Sequence, residues 1–106
     1  MNTTTLRVLL ALGEEGCTAA DMLERLADVP GGVDAPSLPA LYRHLKVGLD
    51  EGWLTVIPVG DGTPGRPRQI YQLTSSGKEA IAAQGRRLRA LAAFALGEVE
   101  EPGATR

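Results

Sequence analysis

The residues best placed to do chemistry are cations at regular spacing. Arg43 and Lys46 stand three apart in a Leu-rich segment, and Arg66 and Arg68 flank Pro67. Guanidinium and ammonium groups on one side of a helix, or on a Pro-stiffened arm, suit a polyanion, because they donate to phosphate oxygens and base edges. Nothing comparable suggests catalysis. The single histidine, His44, has no carboxylate partner evident in sequence, and no Gly-rich phosphate loop is present. One cysteine, Cys17, excludes an internal disulfide, and Cys17 with His44 is too small a set for the usual structural zinc sites. No catalytic residue, metal or cofactor is expected, and Cys17 reads as a buried small hydrophobe.

Those cations need elements to position them, and the chain is short. Its 106 residues support one domain. The 43% hydrophobic and 23% charged content is that of an ordinary globular chain. Aromatics are only 4%, so Leu, Ala, Val and Ile must build the core. The formal charge of −2 conceals a segregation. Residues 1–34 hold Arg7 and Arg25 against Glu14, Glu15, Asp21, Glu24, Asp28 and Asp34, whereas from Gly65 to Ala95 six cations meet only Glu79. No apolar run reaches the roughly 20 residues of a membrane span. Met1 to Thr5 lacks a basic leader, so a cytoplasmic location away from membranes is expected.

Periodicity divides the chain. Leu6, Leu9 and Leu10 predict a first helix over residues 3–15, capped by Thr3, Thr4 or Thr5 and ended by Gly16. Thr18 caps a second helix with Ala19, Met22, Leu23 and Leu26 on its apolar face. Residues 29–36 form a Pro/Gly loop. Ser37 caps a third helix to about Glu51, with Leu38, Leu41, Leu45 and Leu49 predicted inward. Pro39, Arg43, Lys46 and Val47 are predicted outward, with Tyr42 and His44 on the flanks. Gly48 interrupts the inward stripe, which implies a neighbouring helix in close approach. Gly52 stops this helix. Residues 53–58 and 68–73 read as a hairpin, and a Ser76–Glu79 capping box starts a fourth helix from about Ser75 to Leu96. The segment 97–106 reads as a frayed tail.

Three helices, a hairpin and a long helix form the winged helix-turn-helix order. Leu41-Tyr42-Arg43-His44-Leu45-Lys46 followed by Gly52-Trp53-Leu54 resembles the PadR family of transcriptional regulators. So do Gly65-Arg66 and Ile70-Tyr71-Gln72-Leu73-Thr74 with Gly77. The resemblance spans about residues 5–96, with departures at Pro39, Gly48 and Ile70. It implies a mainly α fold with a small β-hairpin: a winged helix-turn-helix domain over 1–74, then one long dimerisation helix over 75–96. It also implies a homodimeric repressor of double-stranded DNA, and leaves a small-molecule effector open.

On this reading Ser37, Pro39, Tyr42, Arg43, Lys46, Arg66 and Arg68 form the DNA-contacting set. Leu6, Leu9, Ile81, Gly85, Leu88, Leu91, Ala92 and Ala95 form the dimer contact. The seam Leu88, Leu91, Ala92 and Ala95 lies beyond the reach of so small a head, and a soluble chain rarely exposes such a patch. A two-fold pair would set two reading helices about one duplex turn, roughly 34 Å, apart on a pseudo-palindrome. The alternative is a winged-helix module that binds a protein and not DNA.

Overall fold

The computed structural model describes residues 1–31, 36–59 and 68–98, with Arg68 described for its backbone alone. The order is α1 (Thr3–Ala11), α2 (Ala19–Leu26), α3 (Leu38–Asp50), β1 (Leu54–Val59), β2 (Arg68–Leu73) and α4 (Ser75–Ala95). This is a winged helix-turn-helix followed by a long helix. The hairpin tip (60–67), part of the α2–α3 loop (32–35) and the tail beyond Glu98 lie outside the described residues.

Caps set most helix starts. Asn2, rather than a threonine, caps α1, its side chain accepting from the Thr5 N–H at 2.7 Å. Thr18 caps α2 and Ser37 caps α3 as expected. Thr74, not Ser76, caps α4: its hydroxyl accepts from the Gly77 N–H at 2.9 Å and donates to the Gly52 carbonyl at 2.6 Å. That second bond ties the start of α4 to the turn after α3, which Ser76 inside the helix has no means to do.

α1 ends at Ala11, four residues short of the expected last residue, Glu15. Gly13 turns left-handed at φ 70°, and the Arg25 guanidinium donates to the Leu12 carbonyl at 2.9 Å. The reverse also holds. Arg7 of α1 is 7% exposed and donates to the Leu26 and Val29 carbonyls at 3.0 Å and to Pro30 at 3.1 Å, closing the end of α2. Each helix therefore supplies the cation that satisfies the other's orphan carbonyls.

Val8, Leu9, Leu12, Met22, Leu26, Leu41 and Leu45 are fully buried between the first three helices. Each contributes about 1.5–3 kcal/mol by leaving water. The inward face of α3 is narrower than periodicity suggested. It consists of Leu41, Leu45 and Gly48, while Leu38 and Leu49 are 44% and 37% exposed. At Gly48 the closest neighbour is a strand side chain: an added Cβ would lie 2.7 Å from Leu54 Cδ1, with Leu9 of the neighbouring helix α1 next at 3.6 Å. β1 thus packs against the bare backbone of α3, and both outer leucines lie on a flank.

β1 and β2 pair antiparallel, with Leu54 opposite Leu73 and Val56 opposite Tyr71. Trp53 lies just before β1, its N–H donating to the Gly48 carbonyl at 2.8 Å. The sheet has a short third edge that carries no sequence signal. Cys17 and Tyr71 exchange backbone bonds at 3.1 and 2.9 Å, so the α1–α2 turn joins the sheet. Cys17 is buried there, and burial pushes its thiol up from its ordinary range. Gly77 lets α4 begin against β1's approach, since a Cβ there would strike the Trp53 carbonyl.

Candidate nucleic-acid interface

At 100° per residue, Pro39, Arg43, Lys46 and Asp50 fall within about 60° of arc, opposite Leu41, Leu45 and Gly48. All four are exposed. Because the opposite face is locked in the core, this stripe must point away from the domain. Of the expected outward set, Pro39, Arg43 and Lys46 are brought together with Asp50, while Val47, also exposed, lies toward the His44 side. Lys46 Nζ donates to both oxygens of Asp50, at 3.1 and 3.4 Å, in an exposed i, i+4 pair. The spacing was visible in the sequence, but only the outward direction of both side chains makes the pair part of the interface.

Ser37 is exposed at the start of α3, its hydroxyl accepting from the Ala40 N–H at 3.3 Å. Pro39 has no N–H, and the Leu41 N–H donates to the Ser37 carbonyl at 2.9 Å. Of the first-turn amides of α3, that of Leu38 alone is left for an outside acceptor such as phosphate. Tyr42 is 48% exposed and leaves the stripe for the flank facing the hairpin. There it adds to the effect of burial in holding the Tyr71 phenol above its ordinary range.

His44 turns the other way. Its Nδ1 lies 2.9 Å from the Thr5 hydroxyl, linking α3 to α1. Burial, with the Arg43 charge beside it, pulls its pKa below the ordinary imidazole value. Beside this contact is an open cleft of about 440 Å³, bounded by Met1, Thr5, Arg43, His44, Glu51 and Trp53. Trp53 also packs against the core. On the hairpin, Arg68 opens β2 opposite Val59, and Arg66 lies outside the described residues.

The dimer set divides. Leu6 and Leu9 are 7% and 0% exposed within their own head, so they have no surface for a second chain. This corrects their assignment: first-helix residues that repeat at helical spacing are consumed by α2 and α3. Ile81 is partly buried against the same core. Gln84 then donates to the Met1 carbonyl at 3.2 Å, the most distal hydrogen bond between α4 and the head among the described residues. Beyond it the seam stands open. A Cβ on Gly85 would meet nothing within 4 Å, Leu88 and Leu91 are 36% and 63% exposed, and Ala92 and Ala95 are exposed. Arg86, Arg87 and Arg89 share this distal half and are exposed. No helix among the described residues is long and apolar enough to cross a membrane.

No family model matches the chain, and neither does any curated protein sequence. Solved structures do match. A PadR family transcription regulator from Clostridium difficile superposes with a TM-score of 0.73 at 14% identity, covering 88% of this chain and 94% of that one. A PadR family transcriptional regulator from Eggerthella lenta gives 0.74 at 20% identity, over 94% and 84%. Bacillus subtilis PadR in complex with operator DNA gives 0.68 at 24% identity, over 79% of this chain and 47% of that one. In fold, then, the chain is a PadR-like winged helix-turn-helix carrying one long terminal helix.

Proposed function

We propose that this chain is a DNA-binding transcriptional regulator, a repressor that grips a pseudo-palindromic operator as a homodimer. The observation that carries the reading is the outward stripe of α3, where Arg43 and Lys46 project opposite the buried Leu41 and Leu45. The fold shared with an operator-bound PadR supports it. Arg43 and Lys46 reach bases or phosphates in the major groove, with Ser37, Pro39 and Tyr42 around them. Arg66 and Arg68 on the hairpin hold adjacent backbone. Residues 1–74 form the reading head. The α4 segment 75–96 pairs two heads through Gly85, Leu88, Leu91, Ala92 and Ala95, whose exposure supplies the surface such a contact needs. The function is binding, without catalysis.

Duplex titration across a salt series tests the reading. The parent should lose affinity steeply as salt rises, since each neutralised phosphate releases counterions. The double variant Arg43→Ala, Lys46→Ala should bind more weakly at matched salt, by about 1–3 kcal/mol for each side chain that reads a base. Absence of duplex binding by the parent at low salt would overturn the reading in favour of a protein-binding module. Sedimentation of Leu88→Asp, Leu91→Asp addresses assembly: the parent should run as a dimer and the variant as a monomer.

A further inference from the structure

The Lys46–Asp50 pair is poorly explained by the stability of α3. Asp50 is the last residue of the helix, where the macrodipole disfavours a carboxylate, and Glu51 follows it at the C-cap. The order of the pair is also the weaker one, since an acid four residues before a lysine stabilises a helix better than the reverse. Both side chains are exposed, at 76% and 63%, so the pair gains little from a dry environment. Nevertheless it lies on the stripe turned away from the domain, over its C-terminal half.

Resting on the DNA-binding reading above, we infer that Lys46 and Asp50 act as one unit that reads a G·C base pair in the major groove. The edge of that pair presents guanine N7 and O6 as acceptors beside the cytosine N4 amine as a donor. O6 and N4 are hydrogen-bonded to each other, at about 2.9 Å for an ordinary N–H···O contact. The Lys46 ammonium and the Asp50 carboxylate are 3.1 Å apart, so donor and acceptor match the edge without separating. The ammonium donates to O6 and N7 while the carboxylate accepts from N4. An A·T edge fits less well, because the adenine N6 amine interposes a donor between the two acceptors and leaves the ammonium only one. A phosphate fits worst. It offers the carboxylate no donor and sets it beside a like charge. The pair is thereby a specificity determinant that favours a G·C position and disfavours random backbone.

Selection of duplexes from a random pool tests this, with the parent, D50N, K46Q and the double variant, each checked for folding by circular dichroism. The parent should enrich one G·C position per half-site. Each single variant should lose that preference by about tenfold, the double variant should lose no more than either, and other positions should be unchanged. D50N should also bind random duplex several-fold more tightly, with a salt slope steeper by about one as Lys46 turns to phosphate. The inference fails if D50N keeps every positional preference of the parent, even with tighter binding overall, because Asp50 would then only repel the backbone. It also fails if the single losses add in the double variant. A parent that selects duplexes without such a G·C position overturns this inference alone, whereas a parent that binds no duplex overturns the DNA reading with it.

Discussion

α1 and α4 put the same residue types to opposite uses. Six of the nine residues of α1 are buried, including an arginine. Of the 21 residues of α4 only Gly77 is, although the helix carries Ile81, Leu88 and Leu91. α1 packs against α2, α3 and the start of α4, so that of its leucines only Leu10 is exposed, and the Arg7 guanidinium finds its carbonyls inside the head. α4 is held to the head as far as Gln84 and then runs clear of it. Apolar spacing therefore shows that a helix has something to bury, and says nothing of whether the cover is its own chain.

That contrast can be broken most directly at matched leucines. Leu9→Ala should lower the unfolding free energy by about 2–5 kcal/mol, the range for a fully buried leucine. Leu91→Ala should stay within about 0.5 kcal/mol in urea melts at concentrations where the chain is monomeric. Similar losses would mean that the distal half of α4 is covered by its own head. A smaller effect is expected at the buried cation. Arg7→Met keeps the aliphatic stem and strands the carbonyls of Leu26, Val29 and Pro30, costing about 1–3 kcal/mol. Arg86→Met on the exposed face of α4 should cost almost nothing, and the same melts compare them.

The smallest effect is one of pH. The folded His44 holds its proton less well than the unfolded residue, because of burial and then Arg43. Below about pH 6.5 the unfolded chain takes up a proton that the folded chain accepts only at lower pH. Stability should fall as pH drops through that window and be unaffected above it. The decline should flatten in His44→Gln, read as urea midpoints between pH 8 and 5.

What the sequence revealed was local. Thr18 and Ser37 as caps, Gly52 as a stop and residues 68–73 as a strand depend on their immediate neighbours, and the structure has each of them. The outward direction of Arg43 and Lys46 was legible too, because Leu41 and Leu45 fix the opposite face. The misreadings needed partners distant in the chain. Leu38 and Leu49 repeat at the spacing of the inward stripe, but Leu54 fills the space beside Gly48 and both stay exposed. Thr74 outcompetes Ser76 because its hydroxyl finds the Gly52 carbonyl. Leu6 and Leu9 looked available until α2 and α3 closed over them. The cross-helix roles of Arg7 and Arg25 carry no sequence signal, since a surface arginine has the same spacing.

Those two arginines have a consequence for how the head comes apart. Arg7 completes the end of α2 and Arg25 completes the end of α1, so neither terminus can fray without releasing a guanidinium belonging to the other. Helix ends are ordinarily the first places to open, each on its own. Here the two ends share a latch. α1 and α2 should open together as one cooperative block, leaving α3 and the hairpin supported until that block yields.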